Sequence, residues 1–300
     1  MFSTLLGPLP PLTPADAAPQ TGPAQLTSIL GELAGVGLEL LATGAPPSSP
    51  DAAPTDVVAA WAAAASATDR PVKQVLIGPY SAGRSGGRTR PSAVAESLRS
   101  AVDALAAAGC PFVEIDESGA LPIAGDETER RRFVDAHRVL MRGGATTHVS
   151  LALTGGNFDT AGASTFFDLP YASYAFDLIA GPDNWRLVTA APGDRGVVCG
   201  ALDARVGGDE SPELLVWAAH YAASSNGRGL ERVGLANAPS LAELSWSVAV
   251  RKLTRLAEGA RIAAIDSPRE MASLLDPRAF RQRRERPPSA RGGVAAQEAE

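Results

Sequence analysis

A chain of 300 residues with 45% hydrophobic and 20% charged residues has a globular composition and ample material for a buried core. Its formal net charge of −6 gives no long-range attraction for a phosphate backbone, so we expect no nucleic-acid partner. No segment reaches about 18 uninterrupted apolar residues and the start of the chain does not resemble a signal peptide, so we expect no membrane partner and a cytoplasmic location.

Apolar runs of strand length alternate with Ala- and Leu-rich helical stretches along the chain. This alternation is typical of a parallel sheet wrapped by helices, and eight strands close a barrel. The sequence therefore predicts the α/β class and a (β/α)8 TIM barrel. The predicted strands lie near Phe2–Leu6, Gly37–Leu41, Val72–Ile77, Phe112–Ile115, Thr147–Leu153, Ser173–Ile179, Gly196–Leu202 and Arg232–Ala236.

The helical stretches have apolar residues at spacings of three and four, as in Ser92 to Gly109, which follows Pro91 and ends at a glycine. We predict a single barrel over residues 1–275. Residues 276–300 are predicted to be a flexible basic and Ala-rich tail, because the Pro, Gly and Ser there cannot bury enough surface to fold.

Three long loops rich in Pro, Gly and Ser follow the first three predicted strands. Because the carboxyl ends of barrel strands carry the active site in this architecture, we expect a pocket on that face. Asp116 and Glu117 end the fourth predicted strand, and adjacent strand residues point to opposite sides. We expect Asp116 to face the barrel interior, where it could hold a cationic or amide-bearing substrate or act as a base. A helix cap or a pair with a loop arginine is the alternative.

Other polar residues lie at the same predicted face. Arg84, in the glycine-rich segment GPYSAGRSGGR, suits a carboxylate or phosphate, although the segment could equally be a linker. Asp203 and Arg205 end the seventh strand on one side of an extended chain, as a salt bridge or a substrate clamp. Asn157 follows two glycines and is either a further donor at the rim or an ordinary turn residue.

Soft metal ligands are sparse in the sequence. His137 and His220 lie in predicted helices, His148 starts the fifth strand, and Cys110 and Cys199 form no CxxC pattern. A conventional zinc site cannot be assembled from such spacings, and no GxSxG motif indicates a nucleophilic serine.

Several segments, in this order, resemble those of cobalamin-independent methionine synthase: VKQVLIGPYS, AAGCPFVEIDES, LTGGNFD, FDLIAGPDNWRLV, GVVCGALDAR and LANAPSLAELSWSVAVRKLTRLA. The resemblance covers about residues 2 to 262, one barrel of an enzyme that has two. It implies the (β/α)8 fold shared with uroporphyrinogen decarboxylase. In the family, zinc binds homocysteine as a thiolate and a folate supplies the methyl group.

The zinc ligands of the family are not matched in this chain. Its His-x-Cys before GGN reads Ala152-Leu153-Thr154, its late Cys corresponds to Ser240, and its Glu ligand corresponds to Asp177. The resemblance therefore implies a barrel for which zinc is not expected. Three other positions of the family also hold different residues in this chain. The family's Gly-Ser pair is replaced by Gly7-Pro8, its acidic residue by Ala45 and its His by Arg205. Asp116-Glu117 is retained, and its Asp contacts the amino acid in the family.

Three functions follow as hypotheses. The first is a transferase-like enzyme, with methyltransferase activity inherited and folate as its cofactor, acting on a small polar molecule that bears amino or carboxyl groups. Asp116, Glu117 and Asp203 are the candidate catalytic residues, and Arg84, Asn157, Asp177 and Arg205 the candidate substrate-binding residues. The second is a metal-free lyase or decarboxylase. The third is a non-catalytic binding or partner subunit, in a complex with another protein or as a homo-oligomer.

Overall fold

The computed structural model describes residues 1–12, 23–45, 51–85, 90–205, 211–238 and 240–276. The chain divides into two compact units, one ending at Ala264 and the other beginning at Ile265. The first unit thus ends before the predicted barrel boundary at residue 275. The predicted tail lies outside the described residues except for Asp276, and its flexibility stays a prediction.

The sheet of the first unit is parallel throughout, in the order β1-β7-β6-β5-β4-β3-β2. From β2 to β7 each strand pairs with the next strand in sequence, and β7 also pairs with β1, which is the connectivity of a curled barrel sheet. The seven strands of the described chain are β1 Phe2–Thr4, β2 Gln74–Ile77, β3 Phe112–Asp116, β4 His148–Leu153, β5 Ser173–Asp177, β6 Gly196–Asp203 and β7 Val233–Ala238.

The strand predicted near Gly37–Leu41 is reduced to two isolated parallel bridges, Thr4 with Leu40 and Leu41 with Val72. Leu40 N donates to Ser3 O at 3.1 Å and Leu41 N to Pro71 O at 2.9 Å. Because the chain bonds to β1 at one residue and to the β2 side at the next, neither contact extends into a ladder. The prediction of a full eighth strand is wrong, but these bridges join the two edges of the sheet and complete the (β/α)8 barrel.

Helices follow the strands, as the predicted alternation requires. In the first unit they are α1 Pro23–Gly35, α2 Pro54–Ser66, α3 Pro79–Ser85, α4 Pro91–Ala107, α5 Glu127–Leu140, α6 Ser164–Phe167, α7 Trp185–Ala190, α8 Pro212–Ser224 and α9 Trp246–Ala263. The second unit contains α10, Pro268–Leu275. No helix within the described ranges is long and apolar enough to cross a membrane.

Local sequence explains where these helices begin. Pro91 occupies the first turn of α4, where its missing N–H is not needed. Asp126 caps α5, because its carboxylate accepts from Thr128 N at 2.7 Å and Glu129 N at 3.2 Å.

The interior of the barrel is lined by small and aliphatic side chains near its middle. A buried cluster there contains Leu6, Ala152, Ala175, Val198 and Ala236, and Phe2 packs against it. Ala152, Ala175 and Val198 lie in register on the successive strands β4, β5 and β6, so these three form one layer of the barrel wall. Small side chains at this level leave room for a cavity toward the carboxyl ends of the strands.

Candidate functional site

A cavity of about 180 Å³ lies at the carboxyl ends of the barrel strands, and we call it the mouth pocket. Residues from four strand ends, β1, β3, β4 and β7, meet there, as expected for the active-site face of this fold. Its lining comprises Leu6, Gly7, Pro8, Glu114, Asp116, Ser118, Ala152, Thr154, Ala238 and Ser240.

Asp116 is the last residue of β3 and faces the mouth pocket, the orientation that strand alternation predicts. Its Oδ1 accepts a hydrogen bond from Ser118 N at 2.9 Å. Burial, and after it the negative charge of Glu114, raises the pKa of Asp116 from its ordinary value of 3.8 to about 6. A carboxyl group with a pKa near neutrality can both bind a cation and exchange a proton with it.

Beneath Asp116, a buried ion pair joins Glu114 of β3 to Lys73. Lys73 Nζ lies 2.5 Å from Glu114 Oε2 and donates to Leu5 O at 2.6 Å. Sequence reasoning missed this pair, although Glu114 lies two residues before Asp116 and alternation puts both on one face. With Asp116 ionised, these three groups carry one net negative charge.

Three of the four positions that the resemblance aligns with the family's zinc ligands line the mouth pocket. Ala152, Thr154 and Ser240 all line it. Ser240 Oγ donates to Pro8 O at 2.8 Å and accepts from Ala242 N at 3.1 Å, which fixes the side chain at the rim. A methyl group and two hydroxyls are not the thiolate and imidazole donors that zinc prefers.

Asp177, the remaining candidate ligand, is fully buried at the end of β5. Its carboxylate accepts from Gly155 N at 3.1 Å, Ile179 N at 2.9 Å and Ala180 N at 2.8 Å. It therefore organises the loops after β4 and β5. Within the described ranges, no group of three or more His, Cys, Asp or Glu could hold a metal ion, and Ala152, Thr154 and Ser240 do not supply the donors of a zinc centre.

Glu117 points away from the mouth pocket into the helical layer, and it is fully buried. It accepts from Tyr80 N at 2.9 Å, from Ser81 N at 2.8 Å and from Ser81 Oγ at 2.5 Å, and His137 Nε2 lies 3.0 Å from its Oε1. His137 Nδ1 lies 2.5 Å from the hydroxyl of Tyr171. Glu117 thus anchors the start of α3 to β3, while its neighbour Asp116 faces the pocket.

Asp203 and Arg205 lie at the end of β6, where Asp203 is in register with the pocket residue Ala238. Arg205 Nε and Nη2 lie 3.1 and 3.2 Å from the two carboxylate oxygens of Asp203, a bidentate pair. Burial alone would raise the pKa of Asp203, but the bonds from Arg205 prevail and hold it below its usual range. Arg205 is exposed and does not itself line the mouth pocket.

Two other candidates lie apart from the mouth pocket. Asn157 pairs with Asp183 of the next loop: its Nδ2 donates to the carboxylate at 3.1 Å, and its Oδ1 accepts from Asp183 N at 2.8 Å. Arg84, on α3, forms an ion pair with Glu129 of α5 at 3.0 Å. Both therefore have local structural partners, and neither lines the pocket that contains Asp116.

The sequence matches no family profile and no curated protein. Among solved structures, the fold is similar to a B12-independent methionine synthase from Shewanella sp. W3-18-1, in complex with selenomethionine, with a TM-score of 0.71 and 14% identity over 91% of this chain and 99% of that one. It is also similar to a methyltransferase from Methanosarcina mazei, with a TM-score of 0.56 and 13% identity over 85% of this chain and 93% of that one. At these identities, the likeness establishes the barrel fold.

Proposed function

We propose that this protein is a transferase-like enzyme whose mouth pocket binds a small amine-bearing substrate without a metal ion. The observation that carries the proposal is Asp116, a partly buried carboxylate inside the pocket with a pKa near 6. Because Glu114 and Lys73 offset each other, the ionised pocket has a surplus negative charge that favours a cation. An ammonium group is the small organic cation that a single carboxylate binds well.

The size and walls of the pocket support a small ligand. A volume of about 180 Å³ is below the roughly 300–1,000 Å³ of pockets for drug-sized molecules. Leu6, Ala152 and Ala238 provide apolar contacts, while Thr154 and Ser240 provide hydroxyl groups. In this arrangement Asp116 would hold the ammonium group and accept its proton, and Arg205 at the rim would attract a carboxylate on the same molecule.

We propose one-carbon transfer, with a reduced folate as the methyl donor, as the reaction inherited from the family. Support comes from the sequence segments that resemble cobalamin-independent methionine synthase and from the whole-barrel likeness to the Shewanella structure. The protein would differ from that family in activating an amine with Asp116 rather than a thiol with zinc. We also propose, on the same support, that the chain is a member of the cobalamin-independent methionine synthase family.

A non-catalytic binding or partner subunit is the second candidate. The observation that favours it is the convergence of Ala152, Thr154 and Ser240 on one pocket, at the positions aligned with the zinc ligands. A metal-free decarboxylase is less well supported, because it would be favoured by several arginines around a wide cleft, whereas the described lining of this pocket of about 180 Å³ includes none and Arg205 lies at the rim.

Calorimetric titration of purified protein with amino acids and with reduced folates tests these functions. We expect the Asp116→Asn variant to bind amine ligands at least about 10-fold more weakly, since it loses a charge-assisted contact. Asp103→Asn is the matched control, because Asp103 is exposed on α4 and pairs only weakly with Arg99 at 3.7 Å. This control should bind as the unaltered protein does.

The outcomes separate the hypotheses. Binding of an amino acid without heat from any reduced folate would contradict methyl transfer and leave a binding function. Equal affinity of the unaltered protein and Asp116→Asn would contradict the assignment of Asp116. The affinity should also rise between pH 5 and pH 7, because the ionised form of Asp116 is the one that binds the cation.

A further inference from the structure

A second cavity, of about 650 Å³, lies in the helical layer between α3, the start of α4 and α5, and we call it the outer pocket. It shares no lining residue with the mouth pocket. Its lining comprises Tyr80, Gly83, Arg84, Arg90, Pro91, Ser92, Glu129, Arg132, Asp135 and Ala136. The function proposed above makes no use of this cavity.

Glu129 organises two of the arginines in the outer pocket. Its Oε2 accepts from Tyr80 Oη at 2.6 Å and lies 3.0 Å from Arg84 Nη1, while its Oε1 lies 2.6 Å from Arg132 Nη1. These contacts lower the pKa of Glu129, with the bond from Tyr80 as the largest cause, so its carboxylate is ionised at neutral pH. Each guanidinium has five N–H donors, and these contacts with Glu129 use only a part of them.

Both arginines are accessible to a ligand. The side chain of Arg84 is 46% exposed and that of Arg132 is 61% exposed, whereas Glu129 between them is only 13% exposed. Arg84 also lies over the ring of Tyr80, with its Cζ 5.8 Å from the ring centroid. The mostly buried Glu129 carboxylate thus fixes the side chains of Arg84 and Arg132, which remain accessible to solvent.

The described residues that line the outer pocket leave a surplus of one positive charge. Arg84, Arg90 and Arg132 contribute three positive charges, and Glu129 and Asp135 contribute two negative ones. Asp135 also lies 3.8 Å from Arg138, an exposed neighbour on α5 that does not line the pocket, and such an exposed pair is weak. An anion is the ligand that this surplus favours.

The start of α4 adds to the positive charge of the outer pocket. Arg90 occupies its N-cap without a side-chain cap bond, and the first turn has no acidic residue. No side chain in the first turn of α4 therefore neutralises the partial positive charge of the helix start, and Arg90 adds a full charge to it. This end of α4 strengthens a site that the arginines of α3 and α5 form.

We propose that the outer pocket is a binding site for a phosphate monoester, with Arg84, Arg90 and Arg132 as its ligands. A phosphate monoester carries close to two negative charges at neutral pH, and guanidinium groups match its oxygens bidentately. The cavity is large enough for an organic group beyond the phosphate. The site belongs to the outside of the barrel and is separate from the chemistry proposed for Asp116.

Calorimetric titration at constant ionic strength, with inorganic phosphate and with glucose 6-phosphate, tests the proposal. We expect saturable binding of both, tighter for the monoester, and a loss of at least about 10-fold in affinity in Arg132→Gln. Arg131→Gln is the matched control, because Arg131 lies on the same helix, is 73% exposed and pairs with Glu127 outside the pocket. Arg90→Gln is a second variant that leaves the contacts of Glu129 intact.

Saturable binding of inorganic phosphate alone would identify the free ion as the ligand of the same site. Failure of both ligands to bind, or an equal loss in Arg131→Gln and Arg132→Gln, would overturn the proposal, since only general charge would then matter. Circular dichroism and urea midpoints verify that the variants are folded. Asp116→Asn should keep phosphate binding, so failure at either pocket can be attributed to that pocket alone.

Discussion

Neutralising Asp116 should stabilise the protein at neutral pH even though it weakens the proposed function. The pKa of Asp116 rises from the ordinary aspartate value of 3.8 to about 6 in the folded protein, mainly because of burial. The folded state therefore holds this proton more tightly than the unfolded state. The stabilisation by the protonated form is fully present below pH 4 and is lost as the pH rises through 6.

The magnitude follows from the difference between the two pKa values. One pKa unit corresponds to about 1.4 kcal/mol, so the ionised carboxylate costs the folded state up to about 3 kcal/mol at pH 8. Asp116→Asn removes this cost and keeps an oxygen that can accept from Ser118 N. By the same linkage, the free energy of unfolding of Asp116→Asn should exceed that of the unaltered protein by a difference that grows by about 1.4 kcal/mol between pH 5 and pH 8.

Urea denaturation of both proteins at several pH values between 5 and 8 measures this difference. Asp203→Asn is a control of opposite sign, because the pKa of Asp203 is lowered in the folded protein. Its charged form stabilises the folded state above the unfolded pKa, and that stabilisation is lost as the pH falls. Asp203→Asn should therefore lower the free energy of unfolding, and this loss should be largest at high pH. A gain in Asp116→Asn that does not vary with pH would refute the electrostatic explanation.

Two further substitutions test the scaffold around the site. Lys73→Met should destabilise by about 3–5 kcal/mol in urea denaturation, because it leaves the buried Glu114 carboxylate without its cation, and a loss below 1 kcal/mol would contradict the buried pair. Gly78→Ala should destabilise by about 1–3 kcal/mol, because the added Cβ would clash with the Glu117 carboxyl group. Gly31→Ala is its control, since a Cβ in that exposed part of α1 meets nothing within 4 Å, and it should stabilise by up to about 1 kcal/mol.

The alternation of apolar and helical stretches was sufficient to predict the barrel. Parallel strands buried on both faces require long apolar runs, so seven strands could be located from the sequence. The run near Leu40 and Leu41 has the same composition, yet it forms only two bridges. Local composition does not determine how many residues a strand pairs with its neighbours, because this depends on where the chain enters and leaves the barrel wall.

The candidate site was predictable where it depends on strand alternation. Asp116 faces the mouth pocket because side chains alternate along β3, and the same rule places Glu117 in the helical layer. The partners of these residues were not predictable. Lys73 meets Glu114 from a segment 41 residues earlier, and Arg84 meets Glu129 from 45 residues away, so only the tertiary structure brings each pair together.

The reduced strand at Leu40 and Leu41 gives the barrel wall an uneven strength. Elsewhere, neighbouring strands share ladders of several residues, but here one bridged residue on each side holds the cylinder closed. Local unfolding begins at the weakest hydrogen-bonded unit of a fold, so the bridges at Leu40 and Leu41 should open before the other strand pairs. Their amide protons should therefore exchange with solvent before those of β4. The backbone N of Lys73 donates to Leu41 O at 2.8 Å, so Lys73 is part of this weak contact. Each opening there would bring water to the buried ion pair of Lys73 and Glu114 while the rest of the barrel stays folded.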